Sequence, residues 1–133
     1  MSAPALEAWH RMVAAGDPSG LDDLLAEEAV FHSPIVHTPQ QGKALVKMYL
    51  MAAFQVLFGD SFRYVREVEG EGEAALEFVA EVDGIHVNGI DLIRWDEHGR
   101  IVDFKVMIRP LKAIQLMHRR MMEMLEATKA SGA

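Results

Sequence analysis

The spacing of the apolar residues changes half-way along the chain, and this change constrains the fold more than any other feature of the sequence. In the first half, apolar side chains recur every three to four residues, as they do on one face of a helix. In the second half they alternate with polar residues or form short runs, and glycine-containing turns separate the runs. Helices followed by an antiparallel sheet is the order of an α+β fold.

The second half predicts a four-stranded antiparallel meander. Its turns are Gly70-Glu71-Gly72, Asp83-Gly84 and Asp96-Glu97-His98-Gly99, which are typical of tight connections between neighbouring strands. Gly89 lies inside the third strand and indicates a bulge or a sharp bend there. The strands are expected at Phe62 to Glu69, Ala74 to Val82, Ile85 to Trp95, and Ile101 to Arg109.

The first half predicts three helices and one short strand, and a last helix follows the meander. A first helix with Trp9 on its apolar face ends at Gly16, and Ser19 is expected to cap a short second helix. The strand is expected at Ala29 to Ser33. The third helix is apolar on more than one side, so it should be buried. The apolar positions are Leu45, Met48, Tyr49, Ala52 and Val56 in the third helix, and Ile114, Met117, Met121 and Leu125 in the last.

Length, charge and composition exclude several classes of protein. A chain of 133 residues forms one domain, expected here as residues 1–133. The net charge of −7, from 13 basic and 20 acidic residues, argues against binding to nucleic acid or to an anionic membrane. A sequence without cysteine has no disulfide, thiolate nucleophile or cysteine-ligated zinc. The most apolar stretch, Ala44 to Phe58, is too short to span a bilayer, and no secretory pattern is visible, so a cytoplasmic protein is expected.

The histidines do not have the spacing of a metal site. His32 and His37 lie five residues apart across Pro34, and the sequence has no H-x-H or H-x-x-x-H pair. It also has no phosphate-binding or dinucleotide-binding glycine motif. We therefore expect neither a metal nor another cofactor.

The segment from Ile90 to Ile101, IDLIRWDEHGRI, resembles a hairpin of the bacterial ketosteroid isomerases, which carry the pattern I-D-x-x-R-[FW]-D-E-x-G-R-I. The resemblance extends to Ala15-Gly16-Asp17 after the first helix, and to Ser33-Pro34 with Gly42-Lys43. The chain is thereby similar to the nuclear-transport-factor-2-like superfamily, which includes SnoaL-like polyketide cyclases and limonene-epoxide hydrolases. The resemblance implies a cystatin-like α+β roll: a cone-shaped, curved antiparallel sheet wrapped around the N-terminal helices, plus a C-terminal helix. A cone that is open at one end can hold a small apolar ligand.

Three catalytic positions of the isomerases can be carried over to this sequence. The resemblance places their oxyanion-hole Asp at Asp91, their general-base Asp at Ser33 and their oxyanion-hole Tyr at Trp9. Only the first of these residues is the same. A serine hydroxyl without an activating partner does not shuttle a proton near neutral pH as a carboxylate does. Steroid double-bond isomerisation is therefore not expected.

Asp91 lies between Ile90 and Leu92, in a run that is otherwise suited to burial. A buried carboxylate is unfavourable unless it is paired, or unless its pKa rises and it stays protonated. A protonated carboxyl in an apolar cavity can donate a hydrogen bond to a ligand carbonyl or a developing oxyanion, as it does in ketosteroid isomerase. The alternative is that Asp91 bonds Tyr49, Trp9 or a buried water and only holds the core together.

Strand alternation predicts which side chains line the cone. If Asp91 points inward, so do the alternate residues of its strand and their apolar partners on the neighbouring strands. His37, on the loop before the long helix, is a candidate general base acting through a water, and a solvated loop histidine is the alternative. The expected ligand-binding residues are Trp9, Phe31, Ser33, Tyr49, Phe78, Phe104, Val106 and Ile108, and the candidate catalytic residues are Asp91 and His37.

Three functions from different classes fit this pattern. The first is an enzyme that acts on a small apolar carbonyl compound, as an isomerase, cyclase or dehydratase with Asp91 as its acid. The second is a non-catalytic module that binds such a molecule in the same cavity. The third is an interaction domain in which side chains fill the cavity and the outer face of the sheet binds a partner.

The outward-facing strand residues predict a homodimer. Val79, Ile90, Leu92 and Met107 form more adjacent apolar surface than a sheet face usually leaves in water. Either the chain's own last helix or a second copy of the chain should cover them. The surrounding charges are of opposite sign and favour the second copy: Glu77 and Glu81 against Lys105 and Arg109.

Overall fold

The computed structural model describes residues 3–130, with side chains to Ala127. Its helices are α1 (Pro4–Ala15), α2 (Leu21–Leu24), α3 (Lys43–Val56) and α4 (Leu111–Ala130), with a 3₁₀ turn at Pro18–Gly20. Its strands are β1 (Leu25–His32), β2 (Gln40–Gln41), β3 (Arg63–Gly70), β4 (Glu73–Val82), β5 (Ile85–Trp95) and β6 (Ile101–Arg109).

The strands form one curved sheet in the order β2-β1-β6-β5-β4-β3. The predicted α+β fold class is confirmed, and β3 to β6 are the predicted antiparallel meander. The sheet is larger than the meander, because β1 adds to β6 in parallel and β2 adds to β1. Asp83 and Gly84 both have positive φ, 51° and 79°, as the two-residue turn of the β4–β5 hairpin requires.

The N-terminal helix ends where its sequence predicts. Gly16 is in the left-handed conformation at φ 64°, and the carbonyls of Met12 and Val13 accept backbone hydrogen bonds at this end. The predicted cap at Ser19 is wrong. The backbone N–H of Ser19 instead donates to Asp17 Oδ1 at 3.0 Å, and α2 begins at Leu21 without a side-chain cap.

The core lies between the helices and the inner face of the sheet. Trp9 of α1 is fully buried and meets Phe54, Phe58 and Phe104 edge-on, with ring centroids 5.0 to 5.8 Å apart. Edge-on contacts between aromatic rings are favourable beyond the area that they bury. This aromatic cluster joins both long helices of the first half to β6.

The last helix packs against the inner side of the sheet. Ala113, Leu116 and Met117 of α4 are buried in a cluster that includes Phe78 and Val87, both of which point inward. The helix therefore closes the open end of the cone. The alternative in which this helix covers the outer face of the sheet is therefore wrong.

Alternation along β4 and β5 follows the predicted register. Leu76, Phe78 and Asp91 are buried, while Ile90 and Leu92 are only partly buried on the outer face. No helix in the described residues, 3–130, is long and apolar enough to cross a membrane.

Candidate functional site

A cavity of about 90 Å³ lies between α3, α4 and the inner face of β5 and β6. Its wall is almost entirely aromatic and aliphatic, and Asp91 is the one carboxylate among the described residues that line it. The other lining residues are Phe31, Ser33, Pro34, Ile35, Val36, Tyr49, Leu50, Ala53, Leu57, Phe58, Phe104, Val106, Ile108, Met117, His118, Met121, Met122 and Leu125.

Asp91 is held in this wall by the register of the sheet. It lies opposite Leu76 of β4 and Val106 of β6, and its side chain is only 3% exposed. Burial raises the pKa of the Asp91 carboxyl to about 7, and a hydrogen bond from Tyr64 offsets the rise only in part. At neutral pH the neutral acid is therefore a major form of this side chain.

Two further side chains connect Asp91 to the core. Trp9 Nε1 donates to Tyr64 Oη at 2.9 Å, and Tyr64 Oη donates to Asp91 Oδ2 at 2.6 Å. Burial, followed by the charge of Asp91, raises the pKa of the Tyr64 hydroxyl well above its ordinary value, so this hydroxyl keeps its hydrogen. An indole N–H only donates, so the directions of both hydrogen bonds are fixed.

The second carboxyl oxygen has no such partner. Asp91 Oδ1 receives no hydrogen bond from any residue between positions 3 and 127. It is not fully enclosed, because every fully buried side-chain oxygen or nitrogen of these residues has a partner. Asp91 lines the cavity, so Oδ1 is the oxygen that remains for a bound molecule. The arrangement therefore offers one hydrogen-bonding group in an apolar space.

Most of the predicted lining residues come together around this cavity. Phe31, Ser33, Tyr49, Phe104, Val106 and Ile108 all line it with Asp91. Trp9 and Phe78 do not, because both are fully buried behind the wall. Tyr49 stacks on Phe31, with ring centroids 5.3 Å apart. The alternative in which Tyr49 or Trp9 bonds Asp91 is wrong, because Tyr64 donates the hydrogen bond to this carboxyl.

The sequence matches the family model of the SnoaL-like domain over residues 6–104. This chain belongs to the SnoaL-like domain family. That family is part of the nuclear-transport-factor-2-like superfamily, so the membership that the hairpin motif predicts is confirmed. Among curated proteins, no sequence matches this chain.

Two solved structures are similar to this SnoaL-like domain over most of their length. One is a steroid delta-isomerase from Pseudomonas aeruginosa, 38% identical, which covers 97% of this chain and 99% of its own with a TM-score of 0.90. The other is an uncharacterised bacterial protein with a cystatin-like fold from Silicibacter pomeroyi, which is 34% identical. The match covers 90% of this chain and 83% of that protein, with a TM-score of 0.82. An NTF2-like protein of unknown function from Mesorhizobium loti shares the fold at 21% identity, 80% and 88% coverage, and a TM-score of 0.64.

Ser33 of the SnoaL-like domain is engaged in holding a turn. Its Oγ accepts the backbone N–H of Ile35 at 3.0 Å and that of Val36 at 3.4 Å. His37 is exposed and lies outside the cavity wall, so the structure does not support it as a base acting there. His32 points away from the cavity, as predicted, and its Nε2 lies 2.9 Å from Asp103 Oδ1.

Two polar residues of the site, Tyr64 and His118, were not predicted from the sequence. Tyr64 lies two positions after Phe62, so alternation places both on the inner face, and this signal was available. His118 follows Met117 on α4 and shares its side of the helix with Met122, four residues on. Among the side chains described, 3–127, no three His, Asp or Glu residues are grouped as metal ligands.

Proposed function

We propose that this SnoaL-like domain binds a small, largely apolar molecule that carries one hydrogen-bond acceptor, such as a carbonyl oxygen. The observation that carries the proposal is the position of Asp91, 3% exposed in the wall of an apolar cavity. Its pKa of about 7 leaves much of the carboxyl protonated near neutral pH. A protonated carboxyl donates a hydrogen bond, which the apolar surroundings strengthen.

The hydrogen bond from Tyr64 selects the oxygen that donates. Asp91 Oδ2 accepts from Tyr64, so in the neutral acid Oδ2 is the carbonyl oxygen and the hydrogen lies on Oδ1. Oδ1 is also the oxygen without a partner among the described residues. A ligand group that only accepts, such as a ketone or an aldehyde, complements it.

The size of the cavity restricts the ligand. Its volume of about 90 Å³ is smaller than the ~150 Å³ cavity that holds one benzene molecule. Methionine side chains adapt their shape readily, and Met117, Met121 and Met122 of α4 contribute to the wall. We expect ligands of no more than about one substituted ring, and these methionines have to change rotamer to admit a ligand of that size.

Steroid isomerisation is not the activity that we propose, although the similar protein from Pseudomonas aeruginosa carries that name. The resemblance places the base of the isomerases at Ser33, and the Ser33 hydroxyl accepts two backbone hydrogen bonds of its own loop. A hydroxyl in that position does not replace a carboxylate base. Turnover of a β,γ-unsaturated ketosteroid by the unmodified chain would contradict this statement.

The binding proposal is tested with two ligands of the same shape, acetophenone and ethylbenzene, titrated against the protein by NMR at pH 6. We expect acetophenone to bind more tightly, because only its carbonyl oxygen accepts from Asp91. Above about pH 7 the affinity for acetophenone should fall, by up to about tenfold for each pH unit, because only the protonated carboxyl of Asp91 donates. Ethylbenzene should show no such dependence.

Two substitutions and one control separate the role of Asp91 from a general effect. Asp91→Leu should abolish the preference for acetophenone, while Asp91→Asn, which keeps a donor, should retain it and lose the pH dependence. Glu81→Leu removes an exposed carboxylate that points away from the cavity and should change neither property. Equal affinity for the two compounds in the unmodified protein would overturn the proposal.

A second function, self-association, is favoured by the outer face of the sheet. Val68 and Met107 are 63% and 48% exposed there, and Ile90 and Leu92 lie between them, only partly covered. Because α4 packs on the inner side, none of the described helices covers this face. We propose that a second copy of the chain does, in a two-fold homodimer.

The charges around this apolar surface suit a second copy. Along one side Arg66 Nε lies 2.9 Å from Glu77 Oε1, and Arg109 Nε donates to Asn88 Oδ1 at 2.8 Å. Along the other side Arg94 lies 3.7 Å from Glu73, and Asp103 and Lys105 follow. Both rims thus contain both signs of charge, so a two-fold rotation can bring acidic groups opposite basic ones.

A further inference from the structure

Two adjacent rows of side chains on α4 face the cavity. Met117, Met121 and Leu125 form one row at a spacing of four residues, and His118 and Met122 form the other. Side chains four residues apart lie above one another on the same side of a helix. His118 is therefore part of the cavity-facing stripe, and it is the most polar member of that stripe.

The rotation of α4 about its axis is fixed by contacts on two sides. Ala113 and Leu116 are buried against the inner face of the sheet, at 0% and 1% exposure. Beyond them, Arg120 Nη1 lies 2.7 Å from Asp83 Oδ2, at the turn between β4 and β5. The position of His118 at the mouth of the cavity follows from this packing.

His118 differs from the other histidines of the chain. It lines the cavity, it is exposed to solvent on its other side, and it has no hydrogen bond or ion pair with residues 3–127. Both ring nitrogens are therefore open to a ligand or to water. The remaining histidines are paired or lie elsewhere: His10 with Glu67, His32 with Asp103, His98 with Glu97, and His37 and His86 exposed outside the cavity wall.

We propose that His118 is a catalytic base that removes a proton from the carbon next to the carbonyl of a ligand held by Asp91. The inference rests on the proposed function, since it requires the carbonyl to be bound at Asp91. The substrate class is a small ketone or aldehyde with a hydrogen on its α-carbon. Asp91 and His118 line the same cavity, one buried in the wall and one at the mouth.

The step is a reversible enolisation. The C–H bond at the α-carbon breaks and its proton moves to a ring nitrogen of His118. The bonding pair forms a C=C bond, and the carbonyl π pair moves to the oxygen, which takes the hydrogen of Asp91 Oδ1. Because His118 is in contact with solvent, its new proton exchanges with water before the step reverses. No oxidant, reductant or metal takes part.

The test is the exchange of the methyl hydrogens of acetophenone in D₂O, followed by proton NMR with the full chain near neutral pD. We expect the unmodified protein to accelerate this exchange. His118→Gln should lower the protein-dependent rate constant by about 100-fold or more, the usual contribution of a positioned general base. Its affinity for acetophenone should stay within about twofold of the unmodified value, because binding is assigned to Asp91.

Two further variants keep this test decisive. His86→Gln changes an exposed histidine that lies outside the cavity wall, and it should leave the rate unchanged. His118→Ala should be inactive alone and regain exchange when free imidazole is added, a rescue that a purely structural role would not allow.

The possible results separate the two proposals. If acetophenone binds in preference to ethylbenzene but no exchange is accelerated, or if His118→Gln exchanges as fast as the unmodified chain, the role of His118 is overturned and the binding proposal stands. If acetophenone is not preferred, the binding proposal fails and the role of His118 fails with it.

Discussion

At the scale of single residues, Asp91 links the proposed ligand site to the stability of the fold. Its folded-state pKa of about 7 lies above the ordinary 3.8, because burial disfavours the charged form. As the pH rises, the unfolded chain releases this proton first. The stability that Asp91 contributes is therefore complete below about pH 4, falls as the pH approaches 7, and stays low above that.

Asp91→Asn should remove this pH dependence. The amide keeps an oxygen that accepts from Tyr64 and does not ionise. We expect the free energy of unfolding of the variant, relative to the unmodified protein, to increase by about 3 kcal/mol from pH 5 to pH 8. Urea unfolding of both proteins at the two pH values measures this difference, and a constant difference would contradict it. The carboxyls whose pKa is lowered, Asp17, Glu77 and Asp96, are unchanged by the substitution and affect both proteins alike.

Tyr64→Phe should raise the pKa of Asp91 further. The hydrogen bond from Tyr64 Oη favours the ionised carboxylate, so its loss favours the neutral acid. The variant also leaves Trp9 Nε1 without its acceptor, which should destabilise the fold by about 1–3 kcal/mol. A titration of the Asp91 carboxyl ¹³C shift measures the pKa. Tyr49→Phe is the control, because the Tyr49 ring stacks on Phe31 and makes no hydrogen bond to Asp91. The pKa of Asp91 should be the same in this variant as in the unmodified protein.

At the scale of elements, β5 accommodates an aromatic ring where it lacks a side chain. Gly89 lies opposite Phe78 of β4 on the inner face. A Cβ atom on Gly89 would overlap the ring of Phe78 and lie 2.7 Å from the carbonyl oxygen of Met107 in β6. The glycine indicated in the sequence as a bulge or bend is thus a close approach of the strand to its neighbours, and β5 keeps its register through it.

Gly89→Ala should destabilise the protein by about 1–3 kcal/mol, the usual cost of overfilling a packed core. The backbone of β6 cannot yield as a flexible side chain would, so the value should lie towards the upper end. Gly59→Ala, where a Cβ would meet nothing within 4 Å, is the matched control and should change stability little. Thermal unfolding of both variants measures the effect, and equal midpoints would show that the contact at Gly89 is easily relieved.

The elements that local patterns specify were predicted, whereas β2 and the pairing of β1 with the meander were not. The Asp83-Gly84 turn fixes the β4–β5 hairpin by itself, and alternation from there places Asp91 inward. The parallel pairing of β1 with β6 joins residues about seventy positions apart, such as Phe31 and Phe104, and no local signal encodes it.

The same distinction applies to the site. The partner of Asp91 is Tyr64, which lies two strands away. The hydrogen bond between them depends on the register and the curvature of the sheet, which no local pattern specifies. The position of α4 also depends on tertiary packing, because its apolar stripe could cover either face of the sheet. His118 reaches the cavity because the helix packs on the inner face.

At the scale of the whole molecule, the inner and outer faces of the sheet are covered in different ways. Helices α1, α3 and α4 contribute the clusters that bury the inner face. The outer face keeps apolar side chains in contact with solvent, Val68 and Met107 most of all. Contiguous apolar surface of this kind marks an interface, and the proposed two-fold dimer would cover it.

Leu92→Glu should convert the proposed dimer to a monomer, because two buried like charges would face each other near the two-fold axis. Sedimentation equilibrium at micromolar concentration measures the mass. Met51→Glu places the same charge on an exposed methionine of α3, away from the sheet face, and should leave the dimer intact. A monomeric unmodified protein would reject the dimer, and a dimeric Leu92→Glu variant would show that a different surface is used.

The outermost strand of the meander, β3, limits how far such association can go. Its free edge presents unpaired backbone groups, the usual starting point for fibrous aggregation. This strand carries four exposed ionic side chains, Arg63, Arg66, Glu67 and Glu69, around its exposed Val65 and Val68. A neighbouring molecule that approached this edge would have to desolvate those charges, so sheet-to-sheet polymerisation is disfavoured. Face-to-face pairing, by contrast, ends at two copies, because a two-fold contact uses up the surface that forms it.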